Sequence, residues 1–163
     1  MKKISSPYDE ILMNLIESLK KYFDLISFLV YGSVARDEAR KDSDLDILMV
    51  VEELKDRYEA FKLFDKAERE VEGLVRKAEG DGYRIFFSPI IKSRKEASRT
   101  SPLYLDLVED AIILYDKDGF FKKILERLKK RLEELGAERV RIGKKWYWNL
   151  KEDYEFGERI EIE

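Results

Sequence analysis

The apolar positions in the first third of the chain follow two spacings, and each spacing predicts a different kind of element. Between residues 8 and 21, apolar side chains recur three and four positions apart, which is the period of a helix with one buried face. Residues 25–31 and 45–51 are instead nearly continuous apolar runs, typical of strands that are buried on both faces. The segment between them, residues 33–40, is predicted to form a short helix.

The rest of the chain continues as alternating helices and strands. A long charged helix is predicted at residues 54–79. Its inner stripe is predicted from five apolar side chains: Tyr58, Phe61, Phe64, Val71 and Leu74. The run at 83–91 predicts a strand, and Pro89 places that strand at an edge because proline lacks a backbone N–H. Three further elements are predicted beyond it, a helix, a strand and a helix, at residues 102–109, 111–115 and 120–135.

One phenylalanine and four leucines in the last predicted helix alternate four and three positions apart. The positions are Phe121, Leu125, Leu128, Leu132 and Leu135. This spacing has two interpretations: a heptad seam through which two copies of the chain dimerise, or the inner face of an amphipathic helix lying on its own sheet. The run is only two heptads long, which favours the second interpretation.

The sequence changes character after Gly136, where the last helix is predicted to end. Residues 137–163 are predicted to be an extension packed on a first domain of residues 1–136. Basic residues surround an aromatic triplet at 146–148, namely Arg139, Arg141, Lys144, Lys145 and Lys151. Basic residues interleaved with aromatic ones can bind single-stranded nucleic acid. The alternative is a β-rich tail whose aromatics pack on the domain, and it is favoured because six acids follow and can neutralise the basic part.

Composition narrows the chemistry that the chain can perform. Histidine and cysteine are both absent, which excludes disulfides and triads or zinc sites built on those residues. The net charge of −3 gives no global argument for nucleic-acid binding. No apolar run approaches a membrane span and no signal-peptide pattern follows Met1, so we expect a cytoplasmic protein without a membrane partner. Abundant Lys and Glu without Gln are typical of a thermophile.

Two short motifs flank the paired strands and carry groups suited to phosphate and metal. Gly32 and Ser33 stand between a strand and a helix N-terminus, where free backbone N–H groups and the helix dipole can receive phosphate oxygens. Asp44 and Asp46 lie two apart at the entry to the second strand, so both carboxylates point to one face. Two such carboxylates repel each other unless a cation lies between them, and Mg²⁺ (or Mn²⁺) accepts these oxygen ligands.

Together these residues resemble the minimal signature of the nucleotidyltransferase superfamily related to DNA polymerase beta. The signature is Gly-Ser, an Arg three residues after the Ser, then Ser-Asp-x-Asp. The matching residues are Gly32, Ser33, Arg36, Ser43, Asp44 and Asp46. One departure is Asp37, where the family commonly has glycine. The resemblance implies an α+β nucleotidyltransferase fold, a mixed sheet flanked by helices, here with a C-terminal helix and a β-rich tail.

The resemblance also implies roles for these residues. In the family, the paired Asp residues hold Mg²⁺ while a nucleoside monophosphate moves from a triphosphate to a hydroxyl or phosphate acceptor, releasing pyrophosphate. On this chain the implied catalytic metal ligands are Asp44 and Asp46, and the implied nucleotide contacts are Gly32, Ser33, Arg36 and Ser43. Arg36 either meets phosphate charge or braces the loop through a structural ion pair with Asp42 or Asp44.

The family usually adds a third carboxylate on the strand beside the Asp pair, and the expected strand here contains no acid. The nearest acids are Asp81 before it and Glu96 after it. Asp81 lies between two glycines, which explains it as a turn residue. Glu96 is the candidate general base, because the basic connection at 92–99 can attract a phosphate-bearing acceptor and keep the carboxylate ionised. Its alternative role is a solvated partner for those cations.

Two functions of different class remain open. The first is an Mg²⁺-dependent nucleotidyltransferase that uses a nucleoside triphosphate, with ATP as the expected donor, and a small molecule, a protein or an RNA end as acceptor. The second is a nucleotide-binding or regulatory module without turnover, for example the antitoxin-like partner of a toxin protein. A homodimer or a complex with a partner protein is compatible with both.

Overall fold

The computed structural model describes residues 3–143 and 145–163, and its centre is a four-stranded sheet with helices on both faces. Three residues that belong to the predicted chain start and basic tail, Met1, Lys2 and Lys144, lie outside the described residues. The predicted α+β class, a mixed sheet flanked by helices, is confirmed. None of the helices within the described ranges has the length and apolar character needed to cross a bilayer.

The sheet combines antiparallel and parallel pairing. Its strands are β1 (Leu25–Tyr31), β2 (Leu45–Val51), β3 (Phe87–Ser93) and β4 (Ile112–Asp116). They pair in the order β3-β2-β1-β4, with β1 antiparallel to both neighbours and β3 parallel to β2. The bounds predicted for β1 and β2 are confirmed, and both strands lie at the centre of the sheet, as their apolar composition indicates.

One face of the sheet is covered by helices from the first half of the chain. These are α1 (Tyr8–Tyr22), α3 (Arg57–Arg69) and α4 (Glu72–Gly80), while the four-residue α2 (Gly32–Ala35) directly follows β1. Side chains from α1, α3 and α4 share a buried core with alternate residues of the central strands, such as Phe28. The helix predicted at 33–40 is therefore much shorter than expected.

The other face is covered by helices from the second half. These are α5 (Arg94–Ala97), α6 (Pro102–Asp110) and α7 (Phe120–Leu135). Phe121, Ile124, Leu128 and Leu132 of α7 are buried in a second core with the opposite residues of the central strands. The apolar face of α7 thus packs on the sheet of its own chain, as the second interpretation predicted.

The long helix predicted at residues 54–79 is two helices, and the break has a visible cause. The Ser18 hydroxyl of α1 donates to the Ala67 carbonyl at 2.9 Å and also contacts the Glu70 carboxylate. In a continuous helix that carbonyl would accept the amide of Val71, which instead bonds the Glu68 carbonyl at 3.0 Å. The chain therefore tightens into a three-residue turn between α3 and α4.

The apolar stripe predicted for that helix is wrong at two positions. Tyr58 and Phe61 are 68% and 42% exposed. The buried positions of α3 are Ala60, Phe64 and Ala67, because the small residues let this helix approach α1 closely. Large aromatic residues at helical spacing indicated the buried face, but alanines form most of it.

Strand β3 begins and ends later than the predicted 83–91, but its edge position is confirmed. Pro89 lies within it, where a missing N–H costs least. The Arg57 guanidinium donates to the Ile91 carbonyl at 2.8 Å. Both features blunt the edge against pairing with another chain.

The tail forms a hairpin and then packs on the second core. Its strands are β5 (Glu138–Ile142) and β6 (Lys145–Asn149), which pair antiparallel. Trp148, Leu150 and Ile162 are partly buried against the core under α6 and α7. The structure thus has the β-rich tail with packed aromatics that the favoured interpretation described.

Candidate active site

Gly32 makes the sharp turn that leads from β1 into α2. Its φ is +74°, a conformation that residues with a side chain rarely adopt. A Cβ at this position would lie 3.2 Å from Cγ of Asp46 and closer still to Oδ2 of that carboxylate. Glycine is therefore required for two reasons at once: the backbone conformation and the close approach of the Asp46 side chain.

The Asp44 and Asp46 pair stands at the entry to β2, as predicted. Asp46 is half-buried and lies opposite Tyr31 in the β1–β2 register, whereas Asp44 is exposed. Burial raises the pKa of Asp46, and the nearby Asp44 charge raises it further, while the Arg36 charge acts in the opposite direction. The Asp44 charge thus disfavours the ionised form of Asp46, a repulsion that a bound cation would relieve.

Hydrogen bonds of the connecting segment order both ends of this site. The Arg36 amide donates to the Gly32 carbonyl at 3.1 Å, and the Glu38 amide donates to the Ser33 carbonyl at 2.9 Å. The Ser43 hydroxyl accepts the Arg40 amide at 2.8 Å, so Ser43 shapes the turn that delivers Asp44. Because α2 has only four residues, its dipole is small. A phosphate at this site would therefore bind mainly through the backbone N–H groups of the turn.

Arg36 is held by protein groups, but by other partners than the predicted Asp42 or Asp44. Its Nε lies 3.2 Å from Glu38 and its Nη1 lies 3.2 Å from Oδ2 of Asp110. Its guanidinium carbon is 4.6 Å from the centroid of the Trp146 ring. These contacts favour the bracing interpretation over direct phosphate binding.

Asp37, the departure from the family pattern, has a conformational explanation. Its φ is +58°, in the left-handed region where glycine is the easiest residue. Aspartate tolerates this region better than most residues with a side chain. The chain therefore keeps the backbone geometry that glycine commonly supplies in the family.

The position beside Asp46 on β3 is occupied by Ser88, which is its register partner on the parallel strand. Residues opposite each other in parallel strands point to the same face, so Ser88 stands where a third carboxylate would be expected. Among residues 3–143 and 145–163, no three acidic side chains are grouped closely enough to hold a metal ion. The site therefore presents two carboxylates.

Glu96, the predicted general base, is not brought to this site. It lies in α5, whose N-cap is Ser93, and Ser93 pairs with Val51, five strand positions or roughly 16 Å beyond the level of Asp46. Its Oε1 accepts the Ser93 amide at 3.3 Å in a capping box, and its Oε2 contacts Arg57. Burial alone would raise the pKa of Glu96, but the Ser93 amide and the Arg57 charge bring it below its usual value, which weakens any basic role.

Comparison with known proteins identifies the family. A family model described as polymerase beta, nucleotidyltransferase matches residues 13–79. A curated relative, "Putative protein adenylyltransferase MJ1305" of Methanocaldococcus jannaschii, is 31% identical over 143 residues, which cover 85% of this chain and 92% of the relative. The chain belongs to the nucleotidyltransferase family.

Solved structures with a related fold are more remote. A toxin–antitoxin structure with AMP-PNP is 15% identical, covers 76% of this chain and 91% of its own, and has a TM-score of 0.44. A structure described as a putative nucleotidyltransferase from Sulfolobus solfataricus is 18% identical, covers 72% and 94%, and has a TM-score of 0.43. The family membership rests on the curated relative and not on these two.

The part of this nucleotidyltransferase that matches the family model contains the whole signature and ends before β3. The contacts of the signature extend further, because Asp110 and Trp146 both contact Arg36. Sequence spacing could not reveal these two residues, since they lie more than seventy positions beyond Arg36. The only signal was the aromatic and basic character of the tail.

Proposed function

We propose that the protein is a metal-dependent protein adenylyltransferase, which transfers AMP from ATP to a hydroxyl group of a protein and releases pyrophosphate. The observation that carries the proposal is the Asp44 and Asp46 pair beside the Gly32 turn, in a chain that is 31% identical to a relative named as a protein adenylyltransferase. A protein is thereby preferred among the three acceptor classes, and ATP among the donors.

The donor set suits a hard divalent cation. Asp44 and Asp46 would hold Mg²⁺ or Mn²⁺. Burial is the main cause of the raised pKa of Asp46, and such an ion would offset the second cause, the nearby charge of Asp44. When bound, the ion supplies positive charge next to the phosphate oxygens on which negative charge accumulates. The Gly32 turn offers backbone N–H groups to the phosphates of the donor, and the missing side chain of Gly32 leaves room for the Asp46 carboxylate beside them.

The proposed transfer balances without a further reactant. The acceptor hydroxyl oxygen bonds to the α-phosphorus of ATP, the bond from that phosphorus to the bridging oxygen breaks, and pyrophosphate leaves. The hydroxyl proton passes to water, because Glu96 is distant and Tyr31 is not a base at neutral pH. Burial raises the pKa of Tyr31, and the charge of Asp46 raises it further, so the phenol stays protonated.

The test is transfer of label in cell extract of the source organism. The purified chain is incubated with Mg²⁺ and ATP labelled at the α-phosphate, and in parallel with α-labelled CTP, GTP and UTP. We expect label from ATP in material that protease removes and ribonuclease does not. ATP labelled at the γ-phosphate should leave that material unlabelled, which separates AMP transfer from phosphorylation.

A matched pair of variants assigns the activity to the site. Asp44→Asn with Asp46→Asn should abolish the transfer, whereas Asp65→Asn, at an exposed position of α3, should not change it. Ribonuclease-sensitive label would replace the protein acceptor by an RNA end. Tight ATP binding without transfer to any acceptor would refute the proposal and favour the regulatory module.

A further inference from the structure

Four side chains, from the end of α2, from α6 and from the two strands of the C-terminal hairpin, form a compact cluster next to the Gly32 turn. Arg36 follows α2, Asp110 ends α6, Arg139 lies in β5 and Trp146 lies in β6. We call these four residues the brace cluster. None of the three later residues belongs to the matched family region at 13–79.

A buried carboxylate organises the brace cluster. Asp110 is only 7% exposed and accepts both terminal nitrogens of Arg139, each at 2.9 Å. It also accepts Nη1 of Arg36 at 3.2 Å. A buried anion needs such paired donors, and the bidentate geometry fixes the guanidinium plane of Arg139.

Trp146 connects the two cations of the cluster. Its ring lies 4.6 Å from the guanidinium carbon of Arg36 and 4.2 Å from that of Arg139. Both contacts are within the range in which an aromatic face attracts a cation. The hairpin therefore holds Arg36 through an ion pair shared with Asp110 and through a ring contact.

Arg36, which the cluster holds, closes the Gly32 turn. The Arg36 amide donates to the Gly32 carbonyl at 3.1 Å, so fixing its side chain restricts the backbone at the end of α2. We propose that Asp110 and Trp146 are positioning residues, which keep the Gly32 turn ready for phosphate by holding Arg36. The C-terminal hairpin thus belongs to the nucleotide site. This inference rests on the proposed function in one respect, that the Gly32 turn binds the phosphates.

Substitution of Trp146 tests the proposal, since Asp110 variants would remove the buried carboxylate that Arg36 and Arg139 share and could fail to fold. Trp146→Leu removes the aromatic face, while Trp146→Phe keeps a face and loses the indole N–H. Trp148→Phe is the matched control. Both indoles donate to Oδ1 of Asp106 at 3.2 Å, but it is the Trp146 ring that lies against the Arg36 guanidinium.

Two measurements are made on the full chain. Amide hydrogen exchange at Glu38, whose N–H bonds the Ser33 carbonyl, should become about tenfold faster in Trp146→Leu. The dissociation constant for ATP with Mg²⁺ should rise by about the same factor. Both quantities should return close to the wild-type values in Trp146→Phe and stay there in Trp148→Phe.

A double-mutant cycle shows whether Trp146 acts through Arg36. If it does, adding Trp146→Leu to Arg36→Ala changes neither exchange nor affinity beyond the Arg36→Ala values. Additive effects, equal effects of Trp148→Phe, or faster exchange with unchanged ATP affinity would each overturn the proposal. Absence of ATP binding by the wild type would refute the proposed function, while the exchange rates would still decide whether the brace cluster orders the turn.

Discussion

Gly32 combines a positive φ with close contact to a carboxylate, and a single methyl group tests both. Gly32→Ala should lower the free energy of unfolding by about 1–3 kcal/mol, because alanine is strained at φ +74° and would press on Asp46. It should also abolish measurable ATP binding, since the Asp46 carboxylate must move. Thermal melting and calorimetric titration with ATP measure the two effects.

Gly73→Ala is the matched control for that prediction. Gly73 lies inside α4 with open space around it, so an added methyl should stabilise the chain by about 0.5–1 kcal/mol. If Gly32→Ala were equally harmless, the turn would be less tightly packed than the structure shows.

The raised pKa of Asp46 has a consequence for stability with a definite sign. Between its unfolded value near 3.8 and its higher folded value, the native state holds more protons, so stability falls as pH rises through that window. Asp44→Asn with Asp46→Asn removes the penalty, and the variant should be at least as stable as the wild type at pH 7. The difference should shrink below pH 3.8, as urea unfolding at both pH values would show.

The same variant should lose the response to metal. Mg²⁺ should raise the wild-type melting temperature because it binds only the folded pair, and it should leave the double variant unchanged. Equal stabilisation of both proteins by Mg²⁺ would contradict the metal assignment. Asp65→Asn, at an exposed position on α3, should respond like the wild type.

Glu96 is expected to contribute to stability and not to catalysis, unlike Asp44 and Asp46. Glu96→Gln should leave the rate of AMP transfer within about twofold, because the carboxylate bonds the amide of Ser93, which lies roughly 16 Å from the level of Asp46. It should lower stability by about 0.5–1 kcal/mol through the capping box and the Arg57 contact. A hundredfold loss of turnover with intact ATP affinity would restore it as a general base.

At the residue scale, local chemistry was predictable and long-range chemistry was not. Gly32 and the Asp pair follow from short spacings, since turn and strand geometry act over a few residues. The charged sequence neighbours of Glu96 predict a general base, but the direction of β3 carries it to the far end of the sheet. Asp110 and Trp146 reach Arg36 only through packing of α6 and the hairpin.

At the element scale, α7 depends on a cap that lies several residues before its first turn. Asp116 accepts the amides of Phe121 and Lys122, each at 2.9 Å, and the hydroxyl of buried Ser27 at 2.6 Å. Asp116→Ala should therefore cost about 2–4 kcal/mol, the sum of a lost cap and a buried hydroxyl without a partner. Urea unfolding measures this loss.

The Ser27→Ala background separates these two contributions. With the hydroxyl already removed, Asp116→Ala should cost only the cap, about 1 kcal/mol. An equal cost in both backgrounds would show that Ser27 contributes nothing through this bond.

Elements were predictable where one physical signal dominated. The continuous apolar runs located β1 and β2, and the 3.6-residue period located α7, because burial alone decides these segments. The break between α3 and α4 was not predictable, since its cause is the Ser18 hydroxyl on another helix. Tertiary contacts decided that case over a favourable local pattern.

At the scale of the whole molecule, the order of strands depends on contacts between distant segments. β4 pairs with β1 although more than eighty residues separate them, and the pairing accompanies packing of α6 and α7 on the second face. Nothing in the local sequence of β4 specifies its neighbour. The class of fold was therefore predictable from the sequence, whereas the strand order depends on how these distant segments pack.

The sequence predicts the tail, residues 137–163, as an extension packed on a first domain of residues 1–136. The contacts favour a single cooperative unit instead. Removing residues 137–163 strips Asp110 of its bidentate partner Arg139 and takes Trp148 from the second core. An uncompensated buried charge costs roughly 3–5 kcal/mol. Asp110 keeps Arg36 in the fragment, so the lost pair costs part of that amount and the lost packing of Trp148 adds to it.

We therefore expect the 1–136 fragment to unfold at far lower urea concentration than the full chain and to bind ATP weakly at best. A fragment of residues 1–150 keeps the hairpin and the brace cluster, so its ATP affinity should stay close to that of the full chain. Comparing the urea midpoints and slopes of the three proteins decides the matter, because the slope reports the size of the cooperative unit. A 1–136 fragment with the midpoint and ATP affinity of the full chain would instead establish an independent domain. It would also show that the hairpin does not contribute to ATP binding.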